Sequence, residues 1–278
     1  MLSRRAARRV QALLADPPHR VDPFNRDGVE SALSGNSEIR MKVARVPLIL
    51  ALVSAAILVA SGYGARFGIW DYRFGFQLVR WRLYMGLATA AVALVALSIP
   101  RLRAGHVPAL AVAVVVGAGV AYFPWHWREA ARAVPAINDI TTDTDNPPTF
   151  VAVIPLRAGA PVPADYPGSE VAAKQRSAYP DIRPLELPLP PPSAFARALD
   201  AAKSVGWEID AADAASGRIE ATATTPWFGF RDDVVIRVAP SSVGSRIDIR
   251  SVSRVGKSDL GANASRVRAY LAKVANAQ

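Results

Sequence analysis

The sequence predicts an α+β protein: a three-helix transmembrane anchor followed by a small antiparallel sheet domain with helices packed on one face. Two observations predict it. Three long apolar runs, Val46 to Gly64, Leu83 to Ile99 and Val107 to Trp125, follow one another in the first half of the chain. From Ser193 onward, apolar residues recur at helical spacing, then with the period of two of β-strands, then at helical spacing again.

The first run carries no charge, and roughly 20 such residues, rising 1.5 Å each, cross a hydrocarbon core of about 30 Å. Spans are expected at about 46–64, 80–99 and 107–125, within a membrane domain of residues 41–127. Because Leu83 to Ile99 is short, the second span recruits Val79 and Trp81, with the stems of Arg80 and Arg82 snorkelling outward. Pro100 ends it. Gly117 and Gly119, with Ala113 and Ala121, offer a small-residue face for close helix packing. Three such runs in succession are hard to house as core helices of a water-soluble chain of 278 residues.

The formal net charge of +10 suggests nucleic acid until it is located. From Arg128 to Gln278 there are 18 Lys and Arg against 17 Asp and Glu, so +9 of the charge sits in residues 1–127. The basicity belongs to the membrane flanks, and no Arg/Lys stripe interleaved with aromatics is left to bind nucleic acid. Cysteine is absent, which excludes disulfides, thiolate metal sites and a cysteine nucleophile.

In chain order, residues 1–40 form a polar extension without periodicity, expected to be disordered, although Leu2 to Ala15 could form a basic amphipathic helix. Met41 to Arg45 reads as the natural beginning of a membrane protein. The following apolar run is expected to stay as a helix, because Ser61 to Arg66 is a poor cleavage site. The loop from Tyr63 to Tyr84 is dense in aromatics and arginines, as the headgroup region selects. Arg66, Trp70, Arg73 and Arg80 are its candidate lipid-headgroup contacts. With the amino terminus inside, the Lys/Arg count favours that side by eleven to six. The expectation is a bacterial-type inner (plasma) membrane, with a cytoplasmic amino terminus and a periplasmic carboxyl domain.

Residues 128–192, including the 138–150 turn motif, read as an extended proline-rich connector. Asp143 and Asp145 alternate like a calcium loop, yet the third ligand, the glycine and the distal glutamate are missing, so no metal is expected. Turns capped by Asn138, Asp139 and Thr142 are the default there. The α+β domain, residues 193–278, opens with a helix from Ser193 to about Lys203, capped by Ser193. Strands follow around Trp207 to Ala211, Ile219 to Ala223, Val234 to Val238 and Ile247 to Ile249. A closing helix runs from about Gly261 to Ala275.

Four segments, Asn138-Asp-Ile-Thr-Thr-Asp143 with Pro147 and Pro148, Gly206-Trp-Glu-Ile209, Gly229-Phe-Arg-Asp-Asp-Val-Val-Ile-Arg237 and Ser253 to Asn263, resemble the domain-of-unknown-function 1499 family. The resemblance covers roughly Ala136 to Ala275. The three preceding helices resemble its membrane-bound members. It implies architecture and carries no activity with it.

The histidines, His19, His106 and His126, all lie outside the sheet domain, which removes a Ser-His-Asp triad, a histidine base and a histidine metal site. No catalytic residue, cofactor or metal site is assigned. The candidate polar surface comprises Asn138, Asp139, Thr142, Asp143, Asp232, Asp233, Arg254, Asp259, Asn263 and Arg266. Asp259 is placed to cap the last helix, whose amino end would favour an anion beside Arg254, Asn263 and Arg266. The expected partners are the lipid bilayer and either an envelope protein or an anionic amphiphile bound at the membrane surface. The alternatives are a carboxylate-dependent hydrolase and a purely structural subunit of a membrane complex.

Overall fold

Small side chains decide how the three long helices meet. The computed structural model describes residues 26–276, with side chains from Arg45. The helix expected at Leu2 to Ala15 lies outside the described residues. Helices α1 (Arg26–Arg66), α2 (Tyr72–Ser98) and α3 (Val107–Ala133) are each long and apolar enough to cross a membrane. Because α1 begins at Arg26, residues 26–40, expected to be disordered, are helical. Ala51, Gly86, Ala93, Ala96, Ala113 and Gly117 face inward, while Ile49, Leu52, Val92, Leu94 and Val115 face outward. Lipid solvates large apolar side chains as well as a protein core does, so helix contact in a membrane relies on close approach of small residues.

The tightest approach joins α2 to α3. A Cβ on Gly86 would stand 2.7 Å from the Gly117 carbonyl oxygen, and one on Gly117 would stand 2.9 Å from the Gly86 oxygen. Gly119, expected on the same face, points outward with nothing within 4 Å of a built Cβ. The second span also starts earlier than the apolar run, because the Asp71 carboxylate accepts the Arg73 N–H at 2.8 Å and caps a helix from Tyr72. Tyr72, Phe74 and Phe76, expected in a loop, therefore sit on α2. Arg82 departs further from expectation: it does not snorkel outward but is 1% exposed inside the bundle.

The sheet is antiparallel and ordered β1-β6-β5-β4-β3, with β2 also on β6. Its strands are β1 (Asp139–Thr141), β2 (Leu185–Leu187), β3 (Glu208–Asp213), β4 (Arg218–Thr224), β5 (Arg231–Ser241) and β6 (Gly244–Ser253). Residues 128–192 are thus more than the connector expected of them: they supply β1, β2 and helix α4 (Ser169–Ala178). The outer edge of β1 is closed by Gln175 of α4, which accepts the Thr141 N–H at 3.0 Å and donates to the Thr141 carbonyl at 2.6 Å. A side chain stands in there for another strand.

Helices α5 (Pro191–Ser204) and α6 (Ala262–Asn276) cover one face of the sheet, as one apolar face per strand requires. Phe195, Ala198, Val267 and Tyr270 pack there on Val234, Ile236, Ile247 and Ile249, and Trp207 stacks on Tyr270 with centroids 5.0 Å apart. The α5 helix starts on prolines, with Pro190 at its cap position and no side-chain cap, so Ser193 lies inside the first turn. On the other face the irregular chain from Phe150 to Ala164 packs Phe150 and Val153 against Val235 and Val252.

The α2–α3 contact yields a paired test. Gly86→Leu is expected to cost about 1–3 kcal/mol by overpacking, seen as a lower Tm in detergent, whereas Gly119→Leu should change Tm little. Equal effects would show that the two helices do not meet at Gly86.

Candidate functional site

Alternation along β5 and β6 sorts the candidate polar residues onto two faces. Val234, Ile236, Ile247 and Ile249 point to the helices, so Asp233, Asp248, Arg250 and Arg254 point to the opposite, loop-covered face. Pairing of β1 with β6 puts Asp139 there as well. Asp139 accepts two bonds from Arg250, at 2.9 and 2.7 Å, and Arg250 lies between the rings of Phe150 and Tyr166 at 5.1 and 5.3 Å. Asp233 is held by Arg157 and, at 2.7 Å, by Arg254. Asp143 accepts from Arg237 and Arg246, and its other oxygen turns the chain by accepting the N–H groups of Asp145 and Asn146. The Thr142 hydroxyl oxygen accepts the Ile249 N–H at 2.9 Å.

On the helix face, Arg266 donates to Asp232 at 2.6 Å and to Asn263, and Asn263 donates to the Asn138 carbonyl at 2.9 Å. The Asn138 side chain reaches the Gly256 carbonyl. Asp259 accepts the N–H groups of Gly261 and Asn263 at 2.8 and 2.7 Å, and so caps α6. The expected single surface is therefore divided: Arg254 and Asp139 lie on one face of the sheet, Arg266 and Asn263 on the other. Arg254 is also not free for an anion, since Asp233 already occupies it.

Burial pushes the Asp139 carboxyl up from its ordinary range, and the Arg250 guanidinium pulls it back. Burial also raises Asp259, against the N–H groups of Asn263 and Gly261. The hydrogen bond to Asp233 raises the Arg254 guanidinium. Asp139, Asp143, Asp232 and Asp233 each accept from an arginine.

A different place brings functional side chains together. The β4–β5 hairpin tip, Thr225 to Phe230, enters the end of the helical bundle where α1 stops and α2 starts. Trp227 donates its ring N–H to the Val59 carbonyl at 3.1 Å and packs edge-on against Phe123 and Trp127, at 5.5 and 5.4 Å. A Cβ on Gly62 would stand 2.2 Å from the Trp227 ring, so only glycine admits it. Phe228 and Phe230 meet Phe76 at 4.9 and 5.9 Å, and Phe230 meets Tyr72 at 5.6 Å. Arg66, expected at headgroups, instead donates to the Thr225 and Pro226 carbonyls at 2.8 Å each. Trp70 donates to the Ser61 carbonyl, while Arg73 and Arg80 are exposed. The signal available in the sequence was Pro226-Trp-Phe-Gly-Phe230, an aromatic hairpin tip where a water-exposed turn would carry polar residues.

Beside the tip lies a cleft of about 340 Å³, lined by Trp70, Asp71, Tyr72, Phe228, Phe230, Arg231 and Arg254. Arg231 is exposed and has no ion-pair partner among the described residues. Asp71 is committed to the α2 cap. The cleft therefore combines aromatic walls with one uncommitted cation.

The ionic layer gives a ranked prediction. Arg250→Met leaves Asp139 without a cation and is expected to cost about 3–5 kcal/mol of unfolding free energy. Arg254→Ala should cost clearly less, because Asp233 keeps Arg157. Denaturant unfolding of the detergent-solubilised chain checks the order, and a reversed order would refute this account of the layer.

No curated protein matches the sequence. Residues 139–274 match the family described as "Protein of unknown function (DUF1499)". The match begins at Asp139, the partner of Arg250, so the loop layer and β1 belong to the family domain together with the later strands. With three helices fit to cross a membrane ahead of it, residues 139–274 are a DUF1499 domain of unknown function carried by a multi-pass membrane protein.

Proposed function

We propose that this is an integral inner-membrane protein, its amino terminus cytoplasmic and its sheet domain periplasmic, that binds an anionic amphiphile at the membrane surface. The observation that carries this reading is the junction cleft. Its aromatic walls suit the apolar part of an amphiphile, and Arg231 suits an anionic head. The cleft sits where α1 ends and α2 begins, at the level where Trp70, Tyr72 and Arg73 mark the headgroup region. A ligand that stays partly in the bilayer reaches such a cleft without leaving the leaflet. The hydrolase alternative loses support because its carboxylates are engaged by arginines.

Retention of lipid by the purified chain tests this. Phosphatidylglycerol should be retained in preference to phosphatidylcholine, and Arg231→Glu should lower its affinity about ten- to a hundredfold, the equivalent of one charge-assisted contact of about 1.5–3 kcal/mol. Lys203→Glu, exposed on α5 and outside the cleft lining, should not. Equal retention of both lipids, or no effect of Arg231→Glu, would refute the reading.

A further inference from the structure

The membrane bundle contains a charge that no described residue answers. Arg82 is 1% exposed, and all three of its guanidinium nitrogens lack a hydrogen-bond partner. The Ser54 hydroxyl, fully buried on α1, also lacks one. The two belong to the same layer of the bundle. A Cβ on Gly75 would stand 2.5 Å from the Ser61 carbonyl oxygen, which sets the antiparallel register of α1 and α2. Moving seven residues from that contact, two helical turns along each helix, reaches Arg82 on one and Ser54 on the other. On α3 the same level lies just past Val120 and Ala121, which pack on Gly86 one turn below Arg82. There Pro124 has no N–H to give the Val120 carbonyl.

An arginine inside a membrane bundle is costly and pairs with an anion, a carbonyl or water. From Arg45 onward, α1, α2 and α3 hold one acidic residue, Glu129, which pairs with Arg132 near the end of α3. A carbonyl offers a dipole and leaves the charge unneutralised. Arg82 stands sixteen residues before Ser98, about 24 Å along the helix, and so lies toward the sheet-domain side of a core of about 30 Å. An anion therefore has a short path from the leaflet on that side, where Trp227 closes the outer end of the bundle over Gly62.

We propose that Arg82 is the binding group of an oxyanion site inside the bundle, taking a phosphate oxygen of a membrane lipid or of free inorganic phosphate, with Ser54 as a second donor. This site is separate from the surface cleft at Arg231.

The test uses the full chain in neutral detergent free of phosphate and anionic lipid. Thermal unfolding is followed for the unmodified chain, Arg82→Met, Arg82→Lys and Arg231→Glu. Without anion, Arg82→Met should melt no lower than the unmodified chain, since it removes an unneutralised charge. Phosphatidylglycerol or sodium phosphate should then raise the Tm of the unmodified chain by several degrees, as ligand binding to the folded state requires. With sodium phosphate Arg82→Met should show no such rise and Arg82→Lys a smaller one, and with phosphatidylglycerol Arg82→Met should keep only the part that the Arg231 cleft supplies. Arg231→Glu should keep the rise that depends on Arg82, which separates this site from the cleft. Whichever additive loses effect in Arg82→Met identifies the source of the phosphate. The proposal is overturned if neither additive raises the Tm, if Arg82→Met responds as strongly as the unmodified chain, or if Arg82→Met melts lower with and without anion, the mark of a purely structural arginine.

Discussion

The arrangement of membrane helices and sheet depends on the seating of Trp227 against Gly62. An indole buries on the order of 150–250 Å² but brings a polar N–H that must be satisfied when it leaves water. The Val59 carbonyl satisfies it at 3.1 Å, and Gly62 leaves room for the ring. Two further glycines serve the same docking. Gly75 lets Phe228 and the Ser61 backbone come close, and Gly229, at φ +68, turns the hairpin tip against Arg66 in a conformation that side chains rarely adopt. Room made on α1, α2 and the hairpin thus fixes the sheet over the bundle. The first residue of β5, Arg231, comes to lie beside the α1–α2 loop as a result.

The second face of the sheet needs a different solution, because irregular chain covers it. Irregular backbone brings N–H and C=O groups that no ladder satisfies, so charged side chains satisfy them. Glu220 accepts the N–H groups of Val151 and Val153, at 2.9 and 3.0 Å. Arg250 donates to the Ala164 carbonyl, Arg157 to that of Val162 and Arg254 to that of Leu156. Each of these arginines is neutralised in turn by Asp139 or Asp233. The polar residues that make the family segments recognisable therefore bind the loop layer to the sheet. Desolvation offsets much of their attraction, so the layer does more to fix one arrangement of the loop than to add net stability.

The three spans were legible because absence of charge over a membrane's width leaves few other readings, and β3 to β6 because one face of each strand is apolar. β1 and β2 were not, since strands of three residues cannot display a period, and their partner, β6, lies about 60 to more than 100 positions away. Prolines in that region read as an extended connector although short helices and strands stand between them. The outward snorkelling expected of Arg82 failed because the rotation of a helix is set by its neighbours. Gly75, Val79, Gly86 and Ala93 turn one stripe inward, and Arg82 lies on that stripe. The division of the polar surface, by contrast, could have been read. Once Ile247 and Ile249 face the helices, Arg254 must face away from them, and it cannot share a surface with residues at the start of α6.

Arg250 and Arg82 are equally buried, at 1% exposure each, and answer the cost of burial differently. Arg250 has a bidentate carboxylate and two aromatic rings, because a domain surrounded by water has to neutralise its interior charges from its own sequence. Arg82 has none of these, and its bundle lies beside a leaflet whose headgroups can supply an anion. Between the two settings stands the hairpin that carries Trp227. A ligand in the surface cleft would touch Phe228 and Phe230, and those residues hold the turn that closes the bundle above Arg82. Occupants of the cleft and of the bundle interior would therefore act on one element. A preference of either for the seated or unseated hairpin becomes, by linkage, an equal effect on the affinity of the other.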